Sequence, residues 1–168
     1  STRLREGDSL LAVLRGSTRA CVVFFSTSGV AYTSRIDDIP ASTGHGEPIQ
    51  RLFKLKDGEK IVTALSLDER IAPNISNAKK DRIPETHAVA VSSDGYALRF
   101  GLDSFAEPST RAGRRFARLN ENAEVVGVAK TEGTEVIIAA TRQARAILCK
   151  INGINYLSGP GKGVILLK

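Results

Sequence analysis

Residues 86–102 read T-H-A-V-A-V-S-S-D-G-Y-A-L-R-F-G-L. Val89 and Val91 alternate with small residues up to Ser92-Ser93-Asp94-Gly95, and Tyr96, Leu98 and Phe100 then resume the alternation. A period of two on both sides of a turn-forming run is the pattern of a β-hairpin. Asp94-Gly95 suits a two-residue turn, which needs positive φ; glycine adopts it without steric cost and aspartate tolerates it.

The same phrase occurs twice more. Residues 20–34, A-C-V-V-F-F-S-T-S-G-V-A-Y-T-S, set Gly29 on Gly95, Ala31 on Ala97 and Tyr32 on Leu98. Residues 135–149, E-V-I-I-A-A-T-R-Q-A-R-A-I-L-C, set Ala144 on Gly95 and Ile147 on Leu98. A second phrase, a turn with acidic residues and then a short apolar strand, also recurs: E-G-D-S-L-L-A-V at 6–13, D-G-E-K-I-V-T-A at 57–64 and N-A-E-V-V-G-V at 122–128. The step from hairpin to closing strand is steady, 61 − 29 = 32 residues in one unit and 125 − 95 = 30 in the next. Between them lie links rich in Gly, Pro and Arg that end in a further strand, at 48–55, 111–119 and 162–167.

Each unit is therefore about four strands, with repeats at about 20–68, 86–133 and 134–168 and an orphan closing strand at 7–15. Residues 68–85, polar and containing two prolines, read as a surface insert whose Lys79, Lys80 and Arg82 suit a solvated loop. Val22-Val23-Phe24-Phe25 and Val136-Ile137-Ile138-Ala139 are apolar on both faces, as expected of strands in a sheet packed between two others. An all-β, propeller-like array of three blades is the expected fold. The spacing puts the next closing strand at roughly residue 175. Either residues 10–14 close the last blade, or the chain is an open fragment of a larger ring; closed propellers have about 4–8 blades, so the second is expected.

Lys and Arg number 24 against 18 Asp and Glu, a net charge of +6, so a polyanionic partner is the first to consider. Cys21 and Cys149 lie in apolar strands without metal-ligand spacing and read as buried free thiols in a reducing, cytoplasmic setting. No apolar run reaches the roughly 18–20 residues of a membrane span, so no membrane partner is expected. His45 and His87 have no partner spacing and read as surface or turn residues. Gly161-Lys162 lacks the Ser or Thr of a phosphate loop, and Tyr32, Tyr96 and Tyr156 read as packing residues. No catalytic constellation assembles, so neither catalysis nor a cofactor is expected of this domain.

The phrases S-S-D-G-Y-A-L-R-F and A-T-R-Q-A-R-A-I-L, with the links T-R-A-G-R-R-F-A-R-L and S-G-P-G-K-G-V-I-L-L-K, resemble the C-terminal repeats of the bacterial type IIA DNA topoisomerase A subunits, the family of DNA gyrase and topoisomerase IV. The resemblance spans residues 7–168. It implies a β-pinwheel, in which neighbouring blades exchange strands and duplex DNA bends around a basic outer rim. The implied partners are duplex DNA, the rest of the parent polypeptide and the ATPase partner of an ATP-hydrolysing topoisomerase. Gyrase carries a link of the form Q-R-R-G-G-K-G; here only Gly161-Lys162-Gly163 matches its end, which favours topoisomerase IV or an internal segment of gyrase over supercoiling-type wrapping.

Sequence-tolerant wrapping needs cations that each neutralise a phosphate, and arginine suits bidentate contact. The densest cluster is Arg111, Arg114, Arg115 and Arg118 on the second link, with Arg51 and Lys54 on the first and Lys162 on the third. On the hairpins, Arg99 matches the cation that ends the family's G-Y-x-K-R phrase, Arg142 and Arg145 flank the third turn, and Arg35 follows the first hairpin. The alternative is a propeller-like protein-interaction scaffold that does not bind DNA.

Overall fold

The computed structural model describes residues 4–41, 44–76 and 82–166. Lys79, Lys80 and Leu167 lie outside them. The described residues contain eleven strands, four short 3-10 turns and no α-helix, so no helix is long and apolar enough to cross a membrane. The strands are β1 (Cys21–Ser26), β2 (Val30–Arg35), β3 (Ile61–Ser66), β4 (His87–Ser92), β5 (Tyr96–Gly101), β6 (Arg114–Arg115), β7 (Val125–Thr131), β8 (Val136–Ala140), β9 (Ala146–Lys150), β10 (Tyr156–Leu157) and β11 (Val164–Ile165).

The three hairpins are β1–β2, β4–β5 and β8–β9, all antiparallel. The closing strands take one register on the first two: β3 sets Ile61 opposite Ser26 and Thr63 opposite Phe25, and β7 sets Val125 opposite Ser92 and Gly127 opposite Val91. Both pairings carry a one-residue shift at that point. The first sheet runs β3-β1-β2-β6 and the second β10-β5-β4-β7, with β11 also on β5.

Blades exchange strands through the links. β6 from the second link pairs Arg114 with Ala31 and Arg115 with Val30 of the first hairpin. β11 from the third link pairs Val164 with Ala97 and Ile165 with Tyr96 of the second. The equivalence extends to single hydrogen bonds: Phe116 N donates to Gly29 O and Leu166 N to Gly95 O.

Burial follows from this layering. β1 and β4 are buried on both faces because each stands in a sheet flanked by its neighbours. Between blades 1 and 2 the rings of Phe25, Phe100, Phe105 and Phe116 interlock, with Phe25 edge-on to Phe116 at 5.1 Å and Phe100 stacked on Phe116 at 5.1 Å. Burying each such ring contributes about 1.5–3 kcal/mol. Phe116 comes from the exchanged link, so the core and the exchange stabilise one another. A separate cluster of Val89, Ala97, Ile151 and Ile154 joins blade 2 to blade 3. In blade 1 the acidic turn is tied to its hairpin, since Ser28 Oγ (2.6 Å) and Tyr32 OH (3.0 Å) both donate to Glu59 Oε1. Burial, then the Glu59 carboxylate, pushes the Tyr32 phenol up to about 12.

Several expectations are corrected. The Asp94-Gly95 turn is longer than two residues: Gly95 N donates to Ser92 O at 3.0 Å, and only Gly95 takes positive φ, at 85°. Asp94 instead accepts a hydrogen bond from Ser92 Oγ, which closes the turn from its side chain. Residues 10–14 form no strand, because no hairpin precedes them among the described residues. Residues 48–55 also form none; Ile49–Arg51 is a 3-10 turn, and Phe53 packs on Tyr32 at 5.2 Å. A link strand pairs with the hairpin of the blade before its own, and the first link has no such blade among the described residues. The insert is anchored at its start, with Asp68 and Ala72 at 4% and 2% exposure, and Pro84 near its end is buried. His87 is no surface histidine: it opens β4 at 1% exposure, with Nδ1 3.0 Å from Pro84 O. Cys21 and Cys149 are free thiols, the first buried and the second half-buried.

Ala144 stands where Gly29 and Gly95 stand, at φ 58°. The left-handed conformation costs a residue with Cβ about 1–2 kcal/mol, while glycine loses about 0.5–1 kcal/mol of chain entropy. Ala144→Gly is therefore expected to raise stability by roughly 0.5–1 kcal/mol, read as a higher denaturation midpoint at unchanged m-value.

Candidate nucleic-acid interface

The links carry seven of the candidate cations, and the fold joins them end to end. Lys54 N donates to Arg111 O at 2.7 Å, so the first link lies on the second. Arg118 N donates to Gly161 O at 3.0 Å and Ala117 bridges Gly161, so the second lies on the third. The second link also runs along β2, with Ser109 N donating to Thr33 O and Thr33 N donating to Ser109 Oγ. In the first two sheets the closing strands occupy one edge, and the exchanged link strands pair at the other side of the hairpin.

Along this connected run Arg51, Lys54, Arg111, Arg114, Arg115, Arg118 and Lys162 are exposed or half-exposed. Three have tethers. Arg51 pairs with Glu47 four residues earlier, Arg111 Nη2 donates to Gln50 O at 3.3 Å, and Arg114 Nη1 donates to Ser104 O. Such exposed contacts contribute little and orient the guanidinium without consuming its charge. Arg115 lines a cleft of about 260 Å³ together with Arg82, Asp103 and Tyr156. Sequence reading missed this cleft, because its walls come from the insert, a 3-10 turn and two links, which no single motif joins.

Arg35, Arg142 and Arg145 are exposed but stand apart from the links, at the end of β2 and in the β8–β9 turn. Arg99 is corrected outright. It is 7% exposed, its Nε donates to Ile154 O at 2.7 Å, and its Nη2 is 3.4 Å from Asn152 O. Its guanidinium thus holds blade 3 against blade 2 and is withdrawn from any external anion.

Beside it, Arg99 Nη1 lies 3.4 Å from His87 Nε2, and the His87 ring meets Tyr156 edge-on at 5.9 Å. Burial first and the Arg99 charge second hold the imidazole below its ordinary range, against the upward pull of the Pro84 and Glu85 backbone and Glu135. The unfolded chain therefore takes up a proton at higher pH than the folded one, so this group's stabilisation is present above about pH 6.5 and is lost as pH falls through the folded value. The denaturation midpoint is expected to drop between neutral pH and pH 5, and His87→Gln to flatten that part of the profile.

Strand-exchanged blades with a shared run of basic links define the chain as a β-pinwheel, a propeller-like module. The sequence matches the family described as DNA gyrase C-terminal domain, beta-propeller, over residues 22–68 and 86–132, more than half of the chain. The chain belongs to that family. It is 31% identical over 164 residues to the DNA gyrase A subunit of Aminobacterium colombiense, and 28% identical over 140 residues to that of Aeromonas salmonicida. These alignments cover 97% and 82% of this chain but only 18% and 14% of those proteins. Among solved structures, the E. coli ParC C-terminal domain superposes with a TM-score of 0.77 at 23% identity, covering 99% of this chain and 61% of that one. A C-terminal domain of DNA topoisomerase IV gives 0.80 at 17% identity, covering 99% and 49%.

Proposed function

We propose that the chain is a DNA-binding and DNA-bending module of a type IIA topoisomerase, gripping duplex through phosphate contacts without reading sequence. The observation that carries this reading is the joining of three basic links into one run by the Lys54–Arg111 and Arg118–Gly161 backbone hydrogen bonds. Cations spaced along such a run can each neutralise a phosphate and release counterions, and an extended track favours duplex bent to follow it. Family membership and the gyrase proteins it resembles support the same partner. In this reading Arg51, Lys54, Arg111, Arg114, Arg115, Arg118 and Lys162 contact phosphates, Arg35, Arg142 and Arg145 extend the surface, and Arg99 takes no part. The module carries no cofactor and no catalytic group; cleavage and ATP hydrolysis belong to the rest of the parent polypeptide and its ATPase partner.

The test is a duplex of about 40 bp labelled at both ends, short against the persistence length of about 150 bp. Binding followed by anisotropy, with a rise in end-to-end energy transfer that does not depend on sequence, is the expected result. Absence of binding at moderate salt would contradict the reading and favour a protein-interaction scaffold. On the partial link Gly161-Lys162-Gly163 we further assign the module to topoisomerase IV-like positioning of DNA. With the module fused to its breakage domain, a relaxed-plasmid assay is expected to show no constrained supercoils; supercoils of one hand would overturn that assignment.

A further inference from the structure

The cleft that Arg115 lines stands beside the step from the second link to the third. Phe116 and Pro160 are among its walls, and the residues that follow them, Ala117 and Gly161, are bridged to one another. Arg114 Nη1 donates to Ser104 O on a further wall, so the link run is tied to the cleft a second time. The last wall is the insert, at Arg82 and Pro84. Every wall lies inside the chain, between residues 82 and 160.

The sequence assigns Arg82 to a solvated loop, but its backbone is fixed. Pro84 is buried, its carbonyl lies 3.0 Å from His87 Nδ1, and Thr86 N donates to Asn74 O. A proline also confines the residue before it, here Ile83, to extended backbone. Arg82 therefore stands at the cleft on a set stretch of chain.

The cleft's charge selects its ligand. Asp103 Oδ1 and Tyr156 OH close over Gly101, where an added Cβ would lie 2.6 and 2.7 Å from them. Burial first and the Asp103 carboxylate second push the Tyr156 phenol up against the Arg99 charge, so its hydroxyl stays protonated and can donate. Of the described lining side chains, Arg82, Arg115 and Asp103 carry charge, a sum of 2 − 1 = +1. A phosphodiester carries a single negative charge and two oxygens that guanidinium groups can hold bidentately. At about 260 Å³ the cleft far exceeds the roughly 10–15 Å³ that a water needs, so a phosphate group can enter.

We propose that this cleft seats one backbone phosphate of duplex DNA between Arg82 of the insert and Arg115 of the second link, with Asp103 limiting the strength of the contact. The proposal rests on the DNA-binding reading above. It makes the insert a second element that grips the duplex beside the link run.

Anisotropy titrations of duplex with the intact chain and its variants test this. Arg82→Ala and Arg115→Ala should each weaken binding about fivefold near 0.15 M salt, the worth of one phosphate contact. The double variant should depart from the product of the two losses by at least about twofold, because both side chains hold one phosphate. Asp103→Asn should tighten binding about twofold or more, and Glu69→Gln, the same charge change outside the cleft, should do so less. A gain in affinity cannot come from failure to fold. Duplex should also shift the amide resonances of Ser104 and Gly159, and inorganic phosphate at the same phosphate concentration should leave them in place. Duplex binding that Arg82→Ala and Asp103→Asn leave unchanged, or losses that simply multiply in the double variant, would overturn this proposal alone. Equal shifts with inorganic phosphate would make the cleft a small-anion site and overturn its assignment to duplex. No duplex binding by the intact chain would overturn it together with the reading it rests on.

Discussion

Gly113→Ala is expected to separate β6 from β2 and to lower the unfolding free energy by about 2–4 kcal/mol. Gly113 takes φ 69°, and a Cβ there would meet Ala31 O, Tyr32 Cδ1 and Val30 Cγ1, each at 2.7 Å. The first neighbour is main chain at the β2 edge and cannot rotate away, so the link must lift. Gly163, its equivalent on the third link, is tighter still, with Ala97 O at 1.9 Å from the same hypothetical atom. Lifting the link also withdraws Phe116 from the cluster with Phe25 and Phe100. Chemical denaturation checks the stability loss. Under folded conditions the same variant should bind duplex more weakly although every arginine remains, because Arg114 and Arg115 lose the strand that positions them.

Replacing Arg111, Arg114, Arg115 and Arg118 together by alanine is expected to weaken duplex binding by about two to three orders of magnitude near physiological salt. Each neutralised phosphate contributes about 0.9 to the slope of log K against log salt, hence roughly 0.7 log units at about 0.15 M. Four contacts give about 3 log units at most, and fewer where a side chain spans no phosphate. Stability should change little, because all four side chains are exposed and surface substitutions cost within about 0.5 kcal/mol. Arg99→Ala should behave in the opposite way, lowering stability through the Ile154 and Asn152 carbonyls it leaves unpaired.

What could be read in the sequence and what could not follows from how strands are stabilised. Hairpins and the closing strands at Ile61 and Val125 were legible because alternation, turn residues and spacing all recur. Residues 10–14 and 48–55 carry the same patterns yet form no strand, because a strand is completed by a neighbour and periodicity shows only the chain itself. Strand exchange entered through the resemblance, and the register of β6 and β11 gives it its physical form. Arg99 misled because a cation ending a hairpin phrase looks external. Its aligned partner Thr33 is 2% exposed, a sign that this position faces inward. His87 aligns likewise with the buried Cys21. The run of links was legible only in part. Clusters of Arg were visible, but the hydrogen bonds that join them connect residues far apart in the chain, 111 − 54 = 57 positions for Lys54 and Arg111 and 161 − 118 = 43 for Arg118 and Gly161.

If the joined links form one phosphate-binding track, duplex titrations over a salt series should distinguish the intact chain from the four-arginine variant. The intact chain is expected to show a steep linear fall of log K with log salt, and the variant a slope shallower by about 3–4. Equal slopes for the two proteins, or no salt dependence in either, would mean that the links do not bind phosphate.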